Sequence, residues 1–380
     1  MDICKKENCT GCGACAFVCP KMCISMQEDT IGVMYPIVDS SKCVQCRRCT
    51  QVCPQLSTPE YNRPVKAYAA WSADSKERTT SASGGIAAEI YKFASDNNMM
   101  FVGTLTNEDF SVELTLTDNI ARLSEFKNSK YVFSMAYKLY PQIKTAIKEN
   151  KTIIVIGLPC QIAAVKKLFK NTEQFIFIDL VCHGTTPPSY LKQHIQKLNK
   201  ELNAYAKKIN FRDPELGTEK FFFSLFDVSG KKFYSKRTAD GDTYQYGYHR
   251  MISYRENCYH CLYARSERIS DITLSDYKGL GNLKPCEYDE KKVSCVLINT
   301  EKGQEIINTL MSMKRIIAEE RPVEEPIQGD KQLQHPSQKD RRRIDFEKYI
   351  VKTNADFEKT MCIVMWRAKV RSFLRKLIGR

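Results

Sequence analysis

The chain has 380 residues, 43% of them hydrophobic and 27% charged, enough for two or three domains around a sizeable core. Lys and Arg outnumber Asp and Glu by 58 to 44, a formal net charge of +14, yet no nucleic-acid-binding motif accompanies the excess and no nucleic-acid partner is expected. No apolar run reaches the length of about 18 residues that spans a membrane as a helix. Met1-Asp2-Ile3-Cys4-Lys5 lacks the apolar stretch of a secretory signal, so a cytoplasmic protein is expected, and its 17 cysteines point to metal rather than to disulfides.

Residues 1–57 hold two similar segments at an offset of 34 residues (43 − 9). The first is Cys9-x2-Cys12-x2-Cys15-x3-Cys19-Pro20 and the second Cys43-x2-Cys46-x2-Cys49-x3-Cys53-Pro54. This is the spacing with which bacterial ferredoxins hold two [4Fe–4S] clusters, the fourth cysteine of each run serving the other cluster. One cluster is expected on Cys9, Cys12, Cys15 and Cys53, the other on Cys43, Cys46, Cys49 and Cys19. Two zinc sites are the alternative, but zinc takes its four ligands from two paired sets. Two full runs of four, each closed by a proline that cannot continue a helix, favour iron–sulfur. Gly11 and Gly13 are expected to let the backbone approach the inorganic sulfides. Cys4 and Cys23 fall outside the pattern and read as ordinary thiols.

After a linker with Pro59 and Pro64, strands and helices alternate. Strands are expected at 65–71, 99–106, 111–117, 152–157 and 175–181, the fourth a continuous apolar run suited to burial on both faces. Helices are expected at 86–95, 137–148, 160–169 and 188–199, the last opened by Pro187-Pro188. Segments 221–228 and 231–235 flank Ser229-Gly230 and read as a hairpin. The alternation predicts an α+β ferredoxin-like module followed by an α/β body with a mixed, partly parallel sheet.

Cys160 follows one expected strand in Gly157-Leu158-Pro159-Cys160-Gln161, and Cys182 ends the next in Asp179-Leu180-Val181-Cys182-His183-Gly184. Both fall at carboxyl ends of expected parallel neighbours, the edge where ligands gather in open α/β sheets. A helix N-terminus at Cys160 favours a thiolate there. Cys258-Tyr259-His260-Cys261 adds a CxxC pair, so the four can complete a Cys4 site. The alternatives are small core residues at Cys160 and Cys182 with zinc or nothing on the pair, or a catalytic thiol at Cys160 with His183 as base. Cys286, Cys295 and Cys362 read as structural. Three clusters of about −2 each would bring the net charge to about +8.

Ser81-Ala82-Ser83-Gly84-Gly85 precedes the first body helix, and such a turn can free backbone N–H groups for an anion or serve simply as turn and cap. At the other end, residues 359–380 carry seven Lys and Arg and no acid. Ile363, Trp366, Val370, Phe373, Leu374 and Leu377 recur at helical spacing among them. This reads as an amphipathic basic helix able to lie on an anionic membrane, each basic residue contributing about 1 kcal/mol, or to dock on the body or a partner.

Several stretches occur here in a fixed order: Ser83-Gly84-Gly85, Asn128-Ser129-Lys130-Tyr131-Val132, the Cys160 and Cys182 segments, Asn210-Phe211-Arg212-Asp213, and Cys258-x2-Cys261 followed by Ser270-Asp271-Ile272-Thr273-Leu274-Ser275-Asp276. With them the chain resembles the coenzyme F420 hydrogenase/dehydrogenase beta-subunit family, in the bacterial form with a fused two-cluster ferredoxin module. The resemblance covers residues 1 to about 320, and Leu158 replaces the commoner Thr. It implies an FAD-containing oxidoreductase body with its own [4Fe–4S] cluster on Cys160, Cys182, Cys258 and Cys261. It implies flavin at Ser83, Gly84 and Gly85, and places Ser129, Lys130 and Tyr131 near flavin or substrate, with Lys130 offsetting the charge of reduced flavin. The segments become a ferredoxin domain at 1–57, a flavin-binding part at 65–150, a part with a third cluster at 151–320 and a basic tail at 321–380.

Members differ in whether they use F420, ferredoxin or a bound organic substrate, and relatives of this compact form often accompany surface-polysaccharide genes. The expectation is therefore a ferredoxin or reduced-F420 donor and an unidentified small-molecule or lipid-linked substrate. A non-catalytic electron-transfer subunit and a structural iron–sulfur protein are the alternatives.

Overall fold

Residues 2–170, 173–288 and 291–377 are described by the computed structural model. In the N-terminal module the single-turn helix α1 (Ala14–Val18) precedes the antiparallel hairpin of β1 (Ile24–Glu28) and β2 (Met34–Val38), and α2 (Arg48–Gln51) follows it. Each short helix grows from a CxxCxxC run. The module has few apolar side chains, so its core is largely sulfur: Cys15, Cys23 and Cys53 are buried with Ile3 and Ile24.

The body begins with β3 (Lys66–Ser72), α3 (Ser75–Thr80), α4 (Ile86–Asp96), β4 (Met100–Thr106), β5 (Val112–Thr117), α5 (Leu123–Phe126), β6 (Ser134–Met135) and α6 (Leu139–Lys148). It continues through β7 (Ile153–Gly157), α7 (Pro159–Leu168), β8 (Phe175–Leu180) and α8 (Pro188–Glu201). A three-stranded sheet of β9 (Lys208–Asn210), β10 (Phe223–Phe226) and β11 (Lys232–Lys236) follows, then α9 (Thr243–His249). The chain returns with β12 (Ile272–Asp276), β13 (Ser294–Ile298), α10 (Glu301–Ser312), β14 (Ile316–Arg321) and α11 (Glu324–Gly329), and ends in α12 (Arg341–Lys352) and α13 (Phe357–Leu377).

Among the described residues nine strands form one sheet in the order β14-β3-β13-β12-β8-β7-β4-β5-β6. Strands β12, β8, β7 and β4 run parallel, β13 and β14 are antiparallel to their neighbours, and β5 is antiparallel to β4 but parallel to β6. The Ile153-Ile154-Val155-Ile156-Gly157 run of β7 is buried throughout, and its side chains alternate between two layers. Ile154 and Ile156 meet Ile86, Ile90 and Leu310 of α4 and α10, whereas Ile153 and Val155 meet Leu139, Ile143, Ile162 and Val165 of α6 and α7. A mixed, partly parallel sheet thus lies between helices. The expected elements begin and end within two residues of the observed ones. Strands β1, β2, β6, β9, β12, β13 and β14 had no counterpart in the sequence expectations. The directions of β3, β12, β8, β7 and β4 bring their carboxyl ends, and so the loops carrying Gly84, Cys160 and Cys182, to one edge.

The C-terminal helix departs from the expected tail. It starts at Phe357, and Phe357, Met361 and Val364 are buried against α8, α9 and α12. From Trp366 onward it projects: Trp366, Phe373 and Leu374 are exposed on one side, and Arg367 and Arg371 pair with Asp345 of α12. Residues 378–380, Arg380 among them, and the side chain of Leu377 lie outside the described residues.

Candidate iron–sulfur centres and the adjoining cofactor region

The two cysteine sets of the module separate as the crossed spacing requires. Cys9 and Cys53 lie close enough to Cys12, and all three to Cys15, to disfavour the charged form of the Cys12 and Cys15 thiols beyond what burial does. Cys19, Cys43, Cys46 and Cys49 line a second cavity on the far side, where Cys46 is exposed. Cys4 and Cys23 are not bystanders. Cys4 is within hydrogen-bond reach of Cys9 and Cys53, and the Cys23 sulfur is 3.4 Å from that of Cys19. Each set therefore has a fifth thiol at its margin.

The two halves face different surroundings. Gly11 and Gly13 have φ of +66° and +76°, and a Cβ on Gly13 would come within 2.6 Å of the Tyr137 Cβ. The corresponding residues of the second repeat, Gln45 and Arg47, share the left-handed backbone at +54° and +58° but project into solvent. The glycines therefore serve the close approach of the first repeat to the body. Tyr140 Oη donates to the Cys12 carbonyl at 2.7 Å and Tyr263 Oη to the Pro54 carbonyl at 2.9 Å, while Phe17 packs on Tyr140 and Phe169.

Cys160, Cys182, Cys258 and Cys261 line one cavity of the body, and Cys12 lines it too. The local sequence explains how each arrives. Pro159 opens α7, and Gln161 reaches back so that its Oε1 accepts from Leu158 N at 2.9 Å while its Nε2 donates to Ser134 Oγ at 2.8 Å. That fixes the helix start carrying Cys160. Asp179, buried at the end of β8, pairs with Arg268 at 2.8 Å, and Arg268 also donates to the Tyr263 and Arg265 carbonyls, pinning the loop after Cys261. Gly184, at φ +148°, leaves room for the Tyr254 ring. Thr185 N donates to the Cys258 sulfur at 3.4 Å.

Burial, then the other cysteines, push the thiols of Cys160, Cys182 and Cys261 up, Cys261 to about 11. The helix start at Cys160 does not override this, because burial and neighbouring thiols outweigh the dipole. His183, the base in the catalytic-thiol reading, lines the same cavity, with its Nε2 3.1 Å from Lys278 Nζ and 3.7 Å from the Asp330 carboxylate. Burial and neighbouring thiols disfavour the charged forms of Cys160, Cys182 and Cys261, and a cation among the four sulfurs would offset both, so the donor set suits an iron–sulfur cluster. Among the described residues no three His, Cys, Asp or Glu converge at single-ion distance. The sulfurs surround a space instead of a point.

A family model for the C terminus of the coenzyme F420 hydrogenase/dehydrogenase beta subunit matches residues 150–324, and 4Fe-4S dicluster domain models match residues 8–56 and 35–95. Residues 150–324 thus carry the C-terminal domain of the coenzyme F420 hydrogenase/dehydrogenase beta-subunit family, behind an N-terminal 4Fe-4S dicluster module. The chain is an iron–sulfur electron-transfer protein of oxidoreductase type. A solved chain of the F420-reducing [NiFe] hydrogenase complex from Methanosarcina barkeri is similar at 16% identity and a TM-score of 0.45, over 79% of this chain and 91% of that one. No curated protein matches. No helix among the described residues is long and apolar enough to cross a membrane.

The region where the family resemblance places flavin lies on the same sheet edge. Gly84 N donates to Ser294 Oγ at 2.9 Å, its carbonyl accepts from Ser72 N at 2.7 Å, and a Cβ there would sit 2.4 Å from the Ala70 carbonyl. Packing against β3 and β13 thus accounts for Gly84. Ser83 Oγ donates to the Val293 carbonyl, and Gly85, at φ +90°, starts α4 without a side-chain cap. Thr218 and Lys292 both donate to the Ser81 carbonyl.

Lys130 Nζ donates at 2.9 Å to the carbonyls of Glu125 and Lys127, and burial holds it down to about 7. Its donors thus serve the end of α5. Tyr131 stacks on Tyr248 at 4.4 Å, within hydrogen-bond reach of Ser129 and Arg212. Among the described residues, two buried atoms near this ring have no hydrogen-bond partner, Asn128 Oδ1 and His249 Nε2. The glycine turn and Ser129-Lys130-Tyr131 are bridged by the loop that carries Arg212, Thr218 and Phe221. An uncapped helix start, two cations and orphaned polar atoms suit a large polar ligand, although Gly84 itself offers no open cradle.

Proposed function

We propose that this chain is an iron–sulfur flavoprotein oxidoreductase. It would take up single electrons at the outer N-terminal site and pass them through the inner site to a third [4Fe–4S] site in the body. From there they would reach FAD and an organic substrate. The observation that carries this reading is the one cavity lined by Cys12 of the module together with Cys160, Cys182, Cys258 and Cys261. Bound at these sites, clusters supply one-electron transfer and FAD supplies hydride chemistry. The chain's residues do the rest. Tyr140 and Tyr263 fix the inner half of the module on the body, and the burial of Cys258 and its neighbours excludes water. Ser83, Gly84, Gly85, Ser129, Lys130 and Tyr131 border the region where flavin would lie, with Arg212 and Lys292 as its cations.

The outer site is ringed by exposed Lys21, Arg47 and Arg48, which suits an acidic donor such as a ferredoxin, or reduced F420. The substrate class we favour is a small or lipid-linked molecule of surface-polysaccharide synthesis, since the projecting half of α13 would hold the protein at an anionic membrane. A second reading, an electron-transfer subunit without flavin, is favoured by the closed surroundings of Gly84.

Anaerobically reconstituted protein should bind about twelve irons and about one FAD, and Cys258→Ala about eight irons with flavin retained. Twelve irons without flavin would select the second reading. Eight irons unchanged by Cys258→Ala would remove the body cluster.

A further inference from the structure

The proposed relay passes between the module and the body, and one side chain of the cavity touches both. Arg255 is 3% exposed. Its Nη1 donates to the Thr10 carbonyl at 2.8 Å and its Nη2 to the Cys9 carbonyl at 3.3 Å, inside the first CxxCxxC run. Its guanidinium lies 4.3 Å from the centre of the Phe133 ring, and the side chain lines the cavity with Cys12, Cys160 and Cys258. Its Nε is buried and has no hydrogen-bond partner among the described residues.

The other buried guanidinium of this cavity, Arg268, is neutralised by Asp179. Arg255 pairs with no carboxylate among the described residues. A buried cation without a counter-charge is costly, because two carbonyls and a ring face replace only part of the hydration it loses. The groups of opposite charge available to Arg255 are the cysteine thiolates on either side.

We infer that Arg255 is a positioning residue that bridges the inner N-terminal cluster and the body cluster and supplies the positive charge both need when reduced. The inference rests on the clusters of the proposed function. Each one-electron reduction adds a negative charge within reach of the same guanidinium, which stabilises the reduced form at both sites. A charge shared in this way keeps the two potentials high and close together. The free Nε is a donor for a cluster sulfide or a cysteine sulfur, which would also hold the module at a fixed distance.

The test is potentiometric titration of the reconstituted holoprotein, followed by low-temperature electron paramagnetic resonance, for wild type, Arg255→Lys and Arg255→Gln. With iron content unchanged, Arg255→Gln should move the potentials of two of the three centres to more negative values and leave that of the outer centre in place. Arg255→Lys, which keeps charge but loses the fork, should give a smaller shift at the same two. Twelve irons in both variants with unmoved potentials would overturn the inference alone. So would loss of iron from both variants, since Arg255 would then be needed to hold the centres and not to tune them. Wild-type protein with eight irons would overturn the proposed function, and the inference with it.

Discussion

Substituting Gly13 by Ala tests how the module sits on the body. The backbone at Gly13 has φ +76°, a conformation that costs a non-glycine residue about 1–2 kcal/mol. The added methyl would also come within 2.6 Å of the Tyr137 Cβ, an atom fixed to the backbone between β6 and α6 that cannot swing aside. Overpacking of this kind costs about 1–3 kcal/mol, so the sum is about 2–5 kcal/mol against a typical total of about 5–15. Arg47→Ala is the control. Arg47 holds the equivalent place in the second repeat with φ +58°, its side chain is exposed, and the change should stay within about 0.5 kcal/mol. The assay is anaerobic urea unfolding of cluster-loaded protein, read by cluster absorbance and by fluorescence of Trp71 and Trp366. A Gly13→Ala midpoint equal to that of wild type, or an equal loss in Arg47→Ala, would refute docking through the first repeat.

Two further outcomes are expected. Burial alone would lower His194, but Asp242 at 3.0 Å and Glu358 at 2.7 Å outweigh it and raise it from 6.5 to about 9, so the charged form ties α13 to α8 and α9. Its contribution, up to about 3 kcal/mol by linkage, is complete below about pH 6.5 and lost as pH rises through about 9. Hydrogen exchange over 357–365 should accelerate between pH 7 and 10 in wild type, and the same pH dependence in His194→Gln would show that another group is responsible. Removing residues 366–380 spares the buried Phe357, Met361 and Val364, so the truncated protein should fold yet lose salt-sensitive co-sedimentation with anionic vesicles. Equal pelleting of both forms would rule out an anchor in this helix.

What was legible in the sequence follows from how local the information was. The ferredoxin-type runs, the buried β7 strand and the Pro-opened α7 and α8 are written in neighbouring residues, and they stand where expected. Strands β9, β13 and β14 are set by long-range pairing, as when Ser294–Ile298 lies against Lys66–Ala70, and no short window records that. The Cys160, Cys182 and CxxC segments were visible separately. Their meeting depends on the parallel register of β7 and β8 and on the buried Asp179–Arg268 pair, which links residues 89 positions apart. Arg255 left no signal beyond lying three residues before Cys258.

One signal was present in the sequence and is decided only by the structure. The two repeats impose the same left-handed backbone at equivalent positions, yet the first uses Gly11 and Gly13 where the second has Gln45 and Arg47. Glycine at both places is unnecessary for the conformation, since the second repeat adopts it with side chains. What glycine supplies is the absence of a Cβ, needed only where another surface comes close. The pair therefore marks the first repeat as the half pressed against the body, with Arg255 and Tyr137 in van der Waals reach, and the second as the half turned to solvent. The same asymmetry gives the proposed relay its direction. In that proposal a donor would meet the half that carries Gln45, Arg47 and the exposed Cys46, and the path inward would run through the half that has given up its side chains to touch the body.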